Sequence, residues 1–339
     1  MNTVEQRGPL FDAVKKHATS RPLKTVIVCN FIALGGMALL LGTLCDFFIS
    51  LSDVFPISLK NATPFYPYIC LVVIALIAIL FEFVYSIILT FKYIEIRKFF
   101  NGKSESRKAL TDIIKLQKLY YVFVSVEMVV SIIAVIATSF TSIYSAAEVN
   151  AILPSLIIAG PIYLAEVGGM VVFNYFSYKS IKQTLECAEN AIQGKPEGKV
   201  SVFTQVLSVI GIVSAASMLL SALYIIILLV VAFSALMMAD SIFFSVLYSS
   251  IFAVFFLIAK ALWPLIIVAV PTLIASISYV KLIFGFKKDM ELAKLEHTEL
   301  ERARSEALAS ALTTDADDTS ETVDTDSDSQ STEDNGDSV

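Results

Sequence analysis

Residues 200–286 read VSVFTQVLSVIGIVSAASMLLSALYIIILLVVAFSALMMADSIFFSVLYSSIFAVFFLIAKALWPLIIVAVPTLIASISYVKLIFGF. The stretch carries one acid, Asp240, and two bases, Lys260 and Lys281. About 20 consecutive apolar residues already cross the hydrocarbon of a bilayer as a helix. A run of this length therefore assigns the chain to a membrane. It is too long for two ordinary spans and short for three.

The rest of the 339 residues agrees. Hydrophobic residues make up 56% of the chain and the mean hydropathy is +0.75. Charged residues are 17%, against roughly 25% in soluble chains. The net charge of −6 is an average over unlike parts. The tail after Leu312 is rich in Asp, Ser and Thr and holds no base. With so few apolar residues, 313–339 is expected to be a disordered acidic tail. The first apolar run, from about Thr25, has no A-x-A exit and is expected to be retained as a span.

The sequence predicts an all-α, polytopic membrane bundle of six transmembrane helices. The spans fall at about 24–44, 68–91, 120–144, 152–178, 203–233 and 261–286. Residues 1–23 form an N-terminal segment, with Leu10, Phe11 and Val14 on the apolar side of a short amphipathic surface helix. Residues 287–312 continue as a helix out of the last span. Lys and Arg remain on the cytoplasmic side of a membrane. Of the 25 such residues, all except Lys60 and Lys260 lie before the first span, after the even-numbered spans, or beyond the last. That bias predicts both termini inside, three tandem hairpins, and residence in the cell membrane.

The same bias bears on the long run. Three spans within it would carry the basic segment from Lys281 to Arg304 to the outside; two keep it inside. The surplus, about 239–258, is then expected at the outer face as an interfacial or re-entrant helix. Phe243, Phe244, Tyr248 and Phe252 suit an interface. The alternative is two long tilted spans joined by a short turn at Asp240.

Each hairpin leaves on a tyrosine near a lysine: Tyr93 after Lys92, Tyr178 before Lys179, Tyr279 two residues before Lys281. These tyrosines read as headgroup anchors, as do Lys260 and Trp263 at the other face. Asn101-Gly102-Lys103 and Gln193-Gly194-Lys195 read as helix stops, since Gly takes the left-handed conformation readily.

Ionisable groups inside a span are costly and point to function. Glu82 lies ten residues before Lys92, about 15 Å deep by helical rise, and Glu127 nine residues past Lys118, about 14 Å deep. Glu166, thirteen residues before Lys179, is about 20 Å in. Three carboxylates on successive spans make a candidate polar site for a cation or proton. The plainer reading is that each only hydrogen-bonds a neighbouring helix. Gly160-Pro161 and Gly168-Gly169 bracket Glu166 and form a candidate helix break, the device that some transporters use to build a midplane site.

No catalytic signature is present. There is no Walker lysine, G-x-S-x-G, H-E-x-x-H or kinase set. His17 and His297 are the only histidines, and Cys29, Cys45, Cys70 and Cys187 form no C-x-x-C pair. The chain is accordingly expected to be no enzyme and to hold no cofactor or metal. Its basic loop suits lipid headgroups better than nucleic acid. Two functions follow. In one, the protein moves a small solute or cation through the acidic cluster. In the other, it is a non-transporting scaffold or regulatory subunit that meets a membrane partner, or a second copy, through its basic loop and acidic tail.

Overall fold

The computed structural model describes residues 8–54, 66–103, 108–145, 149–237 and 244–318. Among these there are helices and no strand. Seven helices follow in order: α1 (Pro9–Ala18), α2 (Arg21–Val54), α3 (Tyr66–Phe100), α4 (Ala109–Ser145), α5 (Val149–Ile192), α6 (Val202–Met237) and α7 (Phe244–Asp318). Five segments, within 9–46, 73–100, 109–137, 202–231 and 263–310, are long and apolar enough to cross a membrane. The chain thus has the make-up of a polytopic membrane protein.

Local signals explain the helix ends. Pro9 opens α1, where its missing N–H is no loss. Ser20 separates α1 from α2, accepting the N–H of Leu23 on its hydroxyl at 3.5 Å. α3 and α5 end on the same device. Gly102 has φ +72° while Lys103 donates its N–H to the Lys98 carbonyl at 2.9 Å. Gly194 has φ +75° while Lys195 donates to the Asn190 carbonyl at 2.9 Å. Both are Schellman stops at the glycines that the sequence marks.

The six long helices close into a ring. Each packs on its neighbour in chain order, and α7 packs back on α2 in the most extensive of these interfaces. A Cβ on Gly36 of α2 would lie 2.9 Å from Val268 Cγ2 and 3.1 Å from the Val268 backbone nitrogen. Only glycine permits that approach. The α5–α6 seam is the thinnest. It is pinned at one end by hydroxyls: Ser180 Oγ lies 2.8 Å from Thr204 Oγ1, and Thr184 Oγ1 lies 3.0 Å from the same atom.

One end of the ring is solid. α1 tucks in there against α7, α5 and α3. Leu10, Val14, Phe100, Leu110, Cys187, Phe286 and Met290 form the core of that end. Charged groups tie the same end together. Lys92 bridges to Asp112 at 2.8 Å, Thr111 donates to Glu189 at 3.0 Å, and Lys294 reaches the Gly198 carbonyl.

Three expectations are corrected. Residues 244–258 of the expected outer helix are the first turns of α7, which runs unbroken to Asp318; 239–243 lie outside the described residues. No Gly or Pro interrupts 244–263, so nothing stops the helix there. The first residues of the acidic tail, to Asp318, are likewise helical; the rest of the tail lies outside the described residues. The third correction concerns α1. Leu10 and Val14 are covered by the other helices rather than lying on a membrane surface, with Leu10 only 2% exposed.

A tyrosine-lined cavity as the candidate functional site

An open cavity of about 430 Å³ lies between the helices of the ring. All six long helices line it. α3 contributes Tyr85 and Tyr93, α4 Gln117, Tyr120 and Tyr121, and α7 Thr272, Ser276 and Tyr279. Asn30 comes from α2, Ile181 from α5, and Thr204 and Ser208 from α6. These polar residues recur at helical spacing: 85 and 93, 117 with 120 and 121, 204 and 208, 272 with 276 and 279. Such spacing places them along one stripe of each helix. No Lys, Arg, Asp or Glu lines the cavity.

A second, apolar chamber of about 130 Å³ lies below, toward the basic end. Tyr93, Gln117, Ile181 and Tyr279 line both chambers and form the waist between them. Val14, His17 and Ala18 of α1 contribute to the wall of the lower chamber. His17 Nε2 and Lys16 Nζ meet Asp289 Oδ2 at 2.8 and 2.7 Å. That pairing, with Lys16 first, holds the Asp289 carboxyl below its ordinary range. His17 also stands edge-on to Phe286, ring centroids 5.7 Å apart. It covers Gly285 so closely that a Cβ there would lie 2.9 Å from His17 Cε1.

The tyrosines divide by their partners. Tyr85 stacks on Tyr120 at 4.4 Å between centroids, and its hydroxyl accepts from Gln117 Nε2 at 2.7 Å. Tyr120 donates to Glu82 Oε1 at 3.0 Å. Among the described residues the hydroxyls of Tyr93, Tyr121 and Tyr279 make no hydrogen bond, and Tyr93 and Tyr279 have no ring partner. The hydroxyls of these three therefore remain free to bond whatever enters the cavity.

The three glutamates are brought together only in part. Glu127 lies within electrostatic reach of both Glu82 and Tyr120. Relative to the waist, Glu82 is eleven residues from Tyr93 and Glu127 ten from Gln117, so both stand about 15 Å above it. Glu166 is fifteen residues from Ile181, about 22 Å up and roughly a turn higher than the pair. It is exposed and, among the described residues, makes no hydrogen bond or ion pair.

Other expected features differ as well. α5 continues as a helix through Gly160-Pro161 and Gly168-Gly169, so these residues do not break it. A single proline removes only one donor from the ladder, and glycine is compatible with helical dihedrals. Tyr93 and Tyr279 are not surface anchors, because their rings line the interior. Tyr178 is half-buried, and Trp263 is 61% exposed. The side chain of Lys260 lies outside the described residues. All four cysteines are free. Among the described residues no three His, Cys, Asp or Glu side chains converge as a metal ion needs.

The sequence reading missed Tyr85, Gln117, Tyr120 and Tyr121. Its search followed charge. A search for hydroxyl and amide groups at helical spacing would have found the stripe on each helix. Comparisons with family models, with curated proteins and with solved structures return no match for this chain.

Proposed function

We propose that the chain is an integral membrane protein of the cell membrane that moves a small solute or cation across the bilayer through the space between its six long helices. One observation carries this reading: helices otherwise suited to lipid place hydroxyls and amides around a common cavity. In lipid each helix satisfies its own backbone, and polar side chains are placed in a shared interior at a cost that function commonly explains. The outer faces fit the reading. Val122, Val126 and Ile133 on α4, and Val213, Leu220 and Val231 on α6, are exposed apolar residues.

In this reading the six helices are six spans in three tandem hairpins, with both termini cytoplasmic. The bias of Lys and Arg supports it. So does the gathering of Lys16, Lys92, Lys287 and Lys294 at the end of the ring where α1 sits. Glu82 and Glu127 form the acidic entrance above the cavity, α1 closes its lower end, and the chain performs no catalysis.

The test is reconstitution of the full chain in liposomes. A cysteine at position 276, in a chain with the four native cysteines changed to serine, should react with a membrane-impermeant thiol reagent. Solute flux should exceed that of empty vesicles. An unreactive Ser276→Cys together with no flux for ions or small polar solutes sinks the proposal. Flux unchanged by Glu82→Gln with Glu127→Gln removes the acids from it.

A further inference from the structure

The cavity contains no metal-ligand set and no charge, yet it is richer in tyrosine than in any other polar residue. A ring face carries negative potential, and a cation above it is attracted electrostatically. The attraction grows as water is excluded, and quaternary ammonium ligands are the chemistry that aromatic cages recognise. We propose that the cavity binds a small organic cation of the alkylammonium class, with Tyr93, Tyr121 and Tyr279 as its cage. This rests on the conduit reading above and names the solute.

Four observations converge. The three cage residues come from three helices, α3, α4 and α7, and share one cavity. Tyr93 and Tyr279 line the cavity and lack aromatic ring partners among the described residues, so neither ring is committed to a stack. The cavity is lined by no Lys, Arg or His, so no basic side chain faces a cation there. Above the cavity stand the carboxyl groups of Glu82 and Glu127, with Glu82 joined to the tyrosine cluster through Tyr120.

A hard metal cation fits this lining poorly. It demands several charged or carbonyl oxygens at short range, and here the oxygens are neutral hydroxyls and amides spread over six helices. A methylated or alkylated ammonium is weakly hydrated and needs no such shell. The size also suits, because small-molecule sites span roughly 300–1,000 Å³ and this cavity is about 430 Å³. Hydroxyls of Tyr121 and Ser276 remain to meet a polar group elsewhere on the molecule.

The experiment compares choline and its neutral isostere, in which a quaternary carbon replaces the nitrogen. Each is titrated calorimetrically into the full-length protein in lipid nanodiscs, with tetraethylammonium as a second cation. The two alcohols have the same shape and hydroxyl and differ in charge. Choline or tetraethylammonium is expected to bind at least about ten-fold more tightly than the isostere. Tyr279→Phe, which retains the ring, should keep most of that preference, and Tyr279→Leu should lose about ten-fold of it. The wild-type comparison requires no variant to fold, and thermal unfolding of each unliganded variant identifies a misfolded one. Equal binding of cation and isostere, or no binding of either cation at millimolar concentration, overturns the proposal. In either case labelling of Ser276→Cys still reports on the conduit, so the two readings fail separately.

Discussion

Tyr120 on α4 donates its hydroxyl to Glu82 on α3 at 3.0 Å, the one hydrogen bond that joins the tyrosine cluster to an intramembrane acid among the described residues. The phenol donates and a carboxyl oxygen accepts. Its neighbour Glu127 competes for the same region by like charge.

Removing either partner should therefore loosen the α3–α4 pair. Tyr120→Phe keeps the stack on Tyr85 and deletes only the donor. A destabilisation of about 1 kcal/mol is expected, the range for a hydrogen bond that is partly open to its surroundings. Reversible unfolding in mixed micelles measures it. A double-mutant cycle with Glu82→Gln should show coupling between the two sites. Strictly additive losses would mean that the pair does not interact in solution.

The α2–α7 interface turns on adjacent glycines with opposite surroundings. A Cβ on Gly36 meets Val268 at 2.9 Å, whereas a Cβ on Gly35 meets nothing within 4 Å. Gly36→Ala should destabilise the fold by about 1–3 kcal/mol through overpacking. Gly35→Ala should be neutral or slightly stabilising, since alanine favours the helix. Paired unfolding curves decide the point, and equal effects of the two variants would contradict the observed approach of α2 to α7.

Two cap glycines separate strain from collision. Gly194 has φ +75° with open space around it, and Gly194→Ala should lose about 1 kcal/mol. Gly198 has φ +96°, and a Cβ there would lie 3.0 Å from the Cys187 Cα. Gly198→Ala adds a backbone collision to the strain and should be clearly the worse of the two. A reversed order in thermal unfolding would contradict the packing of that loop on α5.

Docking of α1 should depend on acid. Lys16 and His17 hold the Asp289 carboxyl below its ordinary value. A group whose folded pKa is depressed contributes stability above its unfolded pKa, near 3.9 for Asp. That contribution is lost as pH falls through the folded value. Hydrogen exchange of the α1 amides should consequently rise below about pH 4. Asp289→Asn should make α1 exchange faster at neutral pH and flatten the acid response. Unchanged α1 protection in that variant would show that burial of Leu10 and Val14 alone holds the helix.

Much of the scaffold was legible because its signals are local. Gly102 and Gly194 mark the ends of α3 and α5 by conformational freedom alone, and both ends fall there. The apolar runs indicate long helices wherever they occur. At 244–258 no Gly or Pro interrupts the apolar sequence, and these residues extend α7 in place of forming a separate outer helix. The candidate site was legible only in part. Glu82 and Glu127 stand out as charges in apolar sequence and do approach each other. Glu166 stands out equally and lies about a turn away, the offset that its greater depth by helical rise already indicates.

The sequence by itself determined that the chain is helical, that it has the make-up of a membrane protein, and where its basic segments lie. Composition and local caps decide these, and neither depends on distant residues. Only the tertiary structure decided which face of each helix turns inward. In a lipid-suited helix both faces are apolar, so hydrophobicity does not distinguish inside from outside. That choice comes from contacts far apart in the chain: Gly36 against Val268 closes the ring, and His17 against Asp289 seats α1. With those in place Tyr93 and Tyr279, placed by sequence at a membrane surface, become walls of a shared interior.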